Sequence, residues 1–220
     1  MKPTVEQVAA GQAVYTKRTL SVYNVLVRGI SNRCIWRCPS GQIRRHYNHW
    51  VTDNHLDVGV STEYFLDRCC FPSKSPRVAL MVLNPNTLEC ASQRISRYSP
   101  ETYRQNISRP VAADIQTFDS VGINYLLRCL PGSITEKAVA FDHLRQFMNS
   151  GATIFSSTIL HRGVRKNRAA VHLMKVYSGK RIFPNSADSL EEPEQSLHDR
   201  FDDVAVRVAG CVALFSGRLQ

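Results

Sequence analysis

The 220-residue sequence has no long hydrophobic run and no tract of low complexity. No stretch approaches the roughly 20 consecutive apolar residues of a membrane-spanning helix, and the first segment, MKPTVEQVAAGQAVYTKRTL, lacks the apolar centre of a signal peptide. No Pro/Gly/Ser-rich stretch is long enough to separate two hydrophobic cores. We therefore expect one cytoplasmic domain with short additions and no membrane contact.

The motifs of several enzyme classes are missing as well. There is no phosphate-binding glycine loop, no Ser-His-Asp arrangement and no CxxC pair among the seven cysteines. Cys34 and Cys38 lie four apart without a second pair, and His46 and His49 lie three apart without a third ligand. The sequence therefore favours buried thiols and predicts no metal.

Acidic residues are scarce near the amino terminus. Residues 1–50 hold eight Lys or Arg against Glu6 alone, out of a net charge of +10 for the whole chain. Such an excess can attract an anionic small molecule or nucleic acid. Because the cations are dispersed and aromatic residues are only weakly interleaved in IWRCPSGQIRRHYNHW, a solvated helical surface is favoured and nucleic acid is not the expected partner.

Apolar spacing divides the chain into two regions. In residues 1–52, apolar side chains three and four apart predict helices, with a break at Pro39 and a new helix that runs to Trp50. In residues 53–220, short apolar strands alternate with helices, which is typical of a parallel sheet covered on both faces. DVAVRVAG and CVALFSGRL, separated only by a turn at Gly210, predict a closing antiparallel hairpin.

Three stretches resemble, in the expected order, motifs of the class I S-adenosylmethionine (SAM)-dependent methyltransferases. Asp57 to Glu63, DVGVSTE, resembles the first motif, D/E-x-G-x-G-T-G; LMVLNPNTLE resembles the second strand and its turn; FDSVGINYLLRCLPG resembles the fourth strand with its loop. FMNSGATIF resembles the family's turn into the fifth strand. The resemblance covers about residues 53–216. It implies a Rossmann-like α/β fold with a mostly parallel seven-stranded sheet, and residues 1–52 as a lid like that of small-molecule methyltransferases.

Two of the three glycines of the first motif are replaced. Gly59 remains, but Ser61 and Glu63 stand at the other positions, where a Cβ is penalised by roughly 1–2 kcal/mol and where a carboxylate would lie beside the cofactor. Val82 stands where the family has an acid that accepts hydrogen bonds from the ribose hydroxyls. We therefore predict a vestigial SAM site that no longer binds the cofactor. Its residues are Asp57, Gly59, Ser61, Thr62, Val82 and Asn84.

A methyltransferase fold without its cofactor predicts a cofactor-independent cyclisation or isomerisation, of pericyclase type, on a hydrophobic natural product held under the lid. Such a step needs a shaped pocket and one hydrogen-bond donor. The predicted catalytic residues are Tyr15, Tyr23, Asn124, Tyr125 and Arg128. The predicted substrate contacts are Trp36, Glu63 and His161.

Two alternatives remain open at this point. An active SAM-dependent methyltransferase of a small natural product would retain Asp57, Gly59 and Thr62, with His161 or His143 as general base. A non-enzymatic relative would bind protein or RNA through the basic amino-terminal region. A homodimer is compatible with each of these interpretations.

Overall fold

A computed structural model describes residues 31–60, 62–111, 114–130, 137–179 and 191–220. Most of the predicted lid, including Tyr15 and Tyr23, lies outside these residues, as does Ser61. The helix expected after Pro39 is confirmed as α1. The described helices are α1 (Ser40–Trp50), α2 (Tyr64–Arg68), α3 (Pro85–Arg94), α4 (Val139–Arg145), α5 (Arg168–Gly179) and α6 (Glu191–His198). None of these helices is long and apolar enough to cross a membrane.

In the described part of the chain, seven strands form one mixed sheet in the order β3-β2-β1-β4-β5-β7-β6. Neighbouring strands from β3 to β5 are parallel, and β7 pairs antiparallel with both β5 and β6. The predicted α/β fold and its carboxy-terminal hairpin are therefore confirmed. The strands are β1 (Asn54–Val58), β2 (Arg77–Met81), β3 (Glu101–Tyr103), β4 (Phe118–Gly122), β5 (Met148–Ile159), β6 (Asp202–Ala209) and β7 (Val212–Arg218).

Two hydrophobic layers sandwich the sheet. Side chains of α1, α2, α3 and α5 form one buried cluster, and side chains of α4 and α6 belong to the other. Along β1, Leu56 and Val58 belong to the α4 layer, and because side chains alternate along a strand, His55 and Asp57 face α1. The two polar residues of β1 are thus buried beneath α1.

One predicted helix is much shorter than expected. The alternation of strands and helices predicts a helix over STEYFLDRCCF, but α2 has only 5 residues and ends at Arg68. Cys69 then adopts an extended conformation, and the chain continues through an irregular segment to β2.

Candidate active site

The sheet reverses its strand order between β1 and β4, because the chain moves outward from β1 to β3 and then returns to β4. In open α/β sheets, ligands bind at the carboxyl ends of the strands at such a switch point. Here Asp57 near the end of β1 pairs in register with Gly122 at the end of β4. The loops after β1, β2, β4 and β5 therefore surround the candidate site.

The loop after β1 begins at a position that only glycine fits well. Gly59 has φ +74, and a Cβ added there would lie 2.5 Å from Cδ1 of Leu126. Its backbone N–H donates to the carbonyl oxygen of Met81 at 2.8 Å, which fixes the loop against β2. The loop after β1 is thus packed tightly against the loop after β4. Thr62, further along, is buried.

Glu63 ends the same loop in the left-handed region, with φ 46 and ψ 33. A residue with a Cβ is strained there by roughly 1–2 kcal/mol relative to glycine. The side chain does not point into solvent, since only 7% of the residue is exposed. Its carboxyl group lies beside that of Asp57.

Asp57 is the centre of a buried acidic pair. Its Oδ2 accepts a hydrogen bond of 2.6 Å from the Tyr47 hydroxyl on α1. Burial raises the pKa of Asp57 from its ordinary value of 3.8 to about 7, and the hydrogen bonds with Tyr47 and Glu63 only partly oppose this effect. The Asp57 carboxyl group therefore lies in contact with both Tyr47 and Glu63.

His55 is buried next to Asp57. Its Nδ1 lies 2.8 Å from Oγ of Ser120, and its ring stacks on Phe155 with centroids 5.7 Å apart. Nε2 lies 3.8 Å from Oδ2 of Asp57 and makes no hydrogen bond within the described part of the chain. Complete burial lowers the pKa of His55 to about 3, so its imidazole is neutral at physiological pH and inaccessible to a substrate.

The loop after β2 is built by ordinary helix capping. Asn84 is the N-cap of α3, and its Oδ1 accepts hydrogen bonds from the backbone N–H groups of Asn86 and Thr87. The oxygen of the predicted cofactor contact is therefore engaged by the helix. Val82 is half-buried and packs against the hydrophobic cluster on the α1 face of the sheet, so it offers no acceptor to a ligand.

The loop after β4 provides an uncommitted amide. Oδ1 of Asn124 accepts a hydrogen bond of 2.9 Å from Ser157, whereas its Nδ2 is buried without a partner among the described residues. Tyr125 has φ 56 and donates its hydroxyl to Oδ1 of Asn32 at 3.2 Å. The side chain of Arg128 lies outside the described residues. Of the predicted catalytic residues, Asn124 therefore has a donor without a partner among the described residues, and that donor is buried.

The predicted base His161 follows β5 at the same edge of the sheet and is half-buried. Burial lowers its pKa, and the neighbouring cations Lys166 and Arg162 lower it further. The other candidate, His143, lies on α4, and its Nδ1 is 2.7 Å from the carbonyl oxygen of Ile107. Of the two histidines, only His161 lies at the carboxyl edge.

Trp36 is not placed as a substrate contact would be. It is 1% exposed and belongs to the hydrophobic cluster that packs on the α1 face of the sheet.

The sequence did not identify Tyr47, the donor to Asp57, as a residue of the site. Its spacing from Ile43 indicated a core position, and a buried tyrosine hydroxyl needs a polar partner, but nothing in the sequence shows which partner.

Fold and site together define a Rossmann-like protein with an acidic residue at the end of β1, the architecture expected of the class I methyltransferases. The chain is 34% identical over 210 residues to demethylluteothin O-methyltransferase of Streptomyces thioluteus, covering 96% of this chain and 91% of that protein. It is 30% identical over 217 residues to the physcion biosynthesis cluster O-methyltransferase of Aspergillus chevalieri, covering 97% and 96%. No protein-family model matches the chain.

A solved structure supports the fold. N-methyltransferase NodS from Bradyrhizobium japonicum, in complex with S-adenosyl-L-homocysteine (SAH), matches with a TM-score of 0.60 at 14% identity, covering 93% of this chain and 98% of that one. Because the two O-methyltransferases are at least 30% identical to the chain over almost its whole length, the chain belongs to the class I SAM-dependent methyltransferase superfamily. The prediction of a cofactor-independent cyclase was wrong, and so was the prediction that no cofactor is used, because the relatives are methyltransferases of natural-product biosynthesis.

The side chains at the carboxyl edge fit SAM in charge and hydrogen bonding. SAM carries a sulfonium and an ammonium, and two buried carboxyl groups, those of Asp57 and Glu63, meet where β1 ends. The ligand also offers acceptor atoms, and Nδ2 of Asn124 at this edge is a buried donor without a partner among the described residues. Val82 packs against the hydrophobic cluster on the α1 face.

Proposed function

We propose that the protein is a SAM-dependent O-methyltransferase whose acceptor is a hydroxyl group of a hydrophobic small natural product. The observation that carries this proposal is the buried acid Asp57 at the switch point of the sheet, in a chain that aligns over almost its whole length with two O-methyltransferases. We propose oxygen rather than nitrogen as the methyl acceptor because both of these relatives are O-methyltransferases.

Bound SAM would supply an electrophilic methyl group. Asp57 and Glu63 would hold the cationic part of the cofactor, and Asn124 would donate its free amide hydrogen to an acceptor atom. Tyr47 holds the Asp57 carboxyl in place from α1, and the glycine at position 59 lets the loop pack against Leu126. The role of these residues is therefore to orient the cofactor and exclude water from it.

His161 is the candidate general base for the acceptor hydroxyl. It lies at the carboxyl edge, and its lowered pKa keeps the imidazole neutral, and hence able to accept a proton, at neutral pH. The cations that lower this pKa, Lys166 and Arg162, also favour a negatively charged oxygen nearby. Replacement of His161 by Ala should reduce kcat by about 100-fold or more. The exposed His172 on α5 provides a matched control, and its Ala variant should retain activity.

The proposal is tested in two stages. Calorimetric titration with SAM should give saturable binding, and Asp57→Ala should weaken it, whereas Asp119→Ala, an exposed change at the start of β4, should not. SAM with a deuterated methyl group is then incubated with the enzyme and a panel of hydroxylated aromatic compounds, and products are examined by mass spectrometry. A wild-type protein that binds no SAM would contradict the proposal.

A further inference from the structure

The fold brings two basic segments together at the carboxyl edge of the sheet. Segment 31–37 precedes α1, and segment 161–168 follows β5 and enters α5. The side-chain amide of Asn167 donates to the carbonyl oxygen of Cys34 at 2.8 Å and joins the two segments directly. The cationic residues of this surface, which we call the basic rim, are all exposed: Arg33, Arg37, Arg162, Arg165, Lys166 and Arg168.

The turn of the closing hairpin holds the two segments of the basic rim together. Cys211 donates its backbone N–H to the carbonyl oxygen of Trp36 at 2.7 Å, and its thiol donates to the carbonyl oxygen of Arg165 at 3.7 Å. Burial raises the pKa of this thiol, and the charges of Lys166 and Arg37 oppose that effect. Cations from both segments therefore lie around one turn.

The basic rim borders the part of the site that contains the candidate base. Nζ of Lys166 donates to the carbonyl oxygen of His161 at 2.5 Å. In segment 31–37, Oδ1 of Asn32 accepts a hydrogen bond from the hydroxyl of Tyr125, which follows β4. The rim therefore lies beside the loops after β4 and β5, whereas Asp57 belongs to β1.

Charge divides the carboxyl edge into an acidic part and a basic part. Asp57 and Glu63 lie at the loop after β1, where they would hold the cationic cofactor. The segments that meet at the basic rim contain no Asp or Glu; they are residues 31–52, 122–130, 160–180 and 209–220. A cationic surface without carboxylates of its own attracts an anion. The edge is thus suited to a cation on one side and an anion on the other.

The aromatic residues of these segments favour a small anion over nucleic acid. Single-stranded nucleic acid binds where bases can stack on accessible aromatic rings. None of the aromatic residues in the four segments is exposed; they are Trp36, Tyr47, Trp50, Tyr125, Tyr177 and Phe215. The basic rim therefore offers charge without a stacking surface.

We propose that the methyl acceptor carries a carboxylate in addition to the hydroxyl group that is methylated, and that the basic rim binds this carboxylate while the hydroxyl faces His161. The inference rests on the function proposed above and specifies its substrate class. Attraction between the carboxylate and the guanidinium and ammonium groups orients the acceptor. Because these groups are exposed, dissolved salt weakens the attraction.

The experiment uses three hydroxylated acids, salicylate, 4-hydroxycinnamate and 1-hydroxy-2-naphthoate, each paired with its neutral carboxamide. Calorimetry measures their affinities for the SAH-saturated protein, so the result does not depend on turnover. At least one acid should bind on the order of tenfold more tightly than its carboxamide, and this preference should shrink when salt is raised from about 0.05 to about 0.5 M.

Two double variants, each lacking two exposed cations, test the assignment to the basic rim. Arg37→Gln combined with Lys166→Gln should abolish the preference for the acid and leave SAM affinity unchanged. Lys74→Gln combined with Arg145→Gln, which removes cations before β2 and on α4, should keep the preference. If circular dichroism shows that the first double variant is unfolded, its two single variants carry the same comparison.

The outcomes separate this inference from the proposed function. If SAM and SAH bind but no acid binds more tightly than its carboxamide, or if both double variants lower the preference equally, the inference is overturned and the proposed function stands. A protein that binds neither SAM nor SAH refutes both. Salt-dependent binding of a labelled single-stranded RNA that the Arg37→Gln, Lys166→Gln variant weakens, with no binding of the acids, would assign the rim to nucleic acid and overturn the inference.

Discussion

The loops after β1 and β2 start at neighbouring strands and end in helices, yet they are built in opposite ways. The loop after β2 follows local rules: Asn84 caps α3, Pro85 occupies its first turn, and the helix runs for 10 residues. The loop after β1 breaks them, since Glu63 precedes α2 with positive φ and gives it no side-chain cap. The contrast indicates that the loop after β1 is shaped by its contacts with Asp57 and Leu126 rather than by helix stability.

Of the changes that test this comparison, Gly59→Ala should have the largest effect on stability. The new Cβ would lie 2.5 Å from Leu126 at a φ of +74, so both steric overlap and backbone strain oppose it. We expect a loss of about 3 kcal/mol in the free energy of unfolding, measured in urea. Gly41→Ala in α1, where no atom lies within 4 Å, should instead stabilise the protein by about 0.5–1 kcal/mol. Equal effects of the two changes would refute the tight packing of the loop.

The second largest effect is the dependence of stability on pH that Asp57 contributes. Its pKa is raised from 3.8 to about 7, so the folded protein keeps a proton that the unfolded chain has lost. This contribution to stability is complete below about pH 4 and declines as the pH rises to about 7. The Asp57→Asn variant has no carboxyl group at this position, so its stability should not show this decline. The free energy of unfolding of the variant minus that of wild type should therefore rise by about 2 kcal/mol from about pH 5 to pH 8. Urea unfolding at these pH values tests the prediction.

Exposed Asp114→Asn is the control for this measurement and should follow wild type. His46 and His55 titrate in the opposite sense, because burial lowers their pKa values to about 4 and 3. Their contribution is lost as the pH falls below 6.5, in wild type and in both variants. An Asp57→Asn protein whose stability falls with rising pH as steeply as wild type would contradict the assignment.

Glu63→Gly should stabilise the loop by about 1–2 kcal/mol, because glycine adopts the left-handed conformation without strain and no acid remains buried beside Asp57. Thermal unfolding measures the gain. Ser99→Gly, at φ 47 in an unrelated turn, controls for relief of strain alone. A larger gain for Glu63→Gly than for Ser99→Gly would show that the acidic contact adds its own cost.

The strands and their order of appearance could be predicted from sequence, because buried parallel strands are apolar throughout and helices alternate with them. The state of Glu63 could not. The sequence suggested a carboxylate beside the cofactor, whereas the fold places the Glu63 carboxyl group beside that of Asp57, six positions earlier. That contact depends on the direction of a strained loop, which no local pattern encodes. The mistaken prediction of cofactor loss rested on this residue together with Ser61 and Val82.

The smallest predicted effect belongs to the loop after β2, and it sharpens the contrast. Asn84→Ala removes the oxygen that accepts hydrogen bonds from the backbone of Asn86 and Thr87, so it should cost about 1 kcal/mol of stability. Asn86→Ala, an exposed change in the first turn of the same helix, should alter stability by less than about 0.5 kcal/mol. Because the cap acts on the helix, Asn84→Ala should leave the affinity for SAM unchanged. A loss of SAM affinity as large as the one caused by Asp57→Ala would place Asn84 in the cofactor site and remove the functional distinction between the two loops.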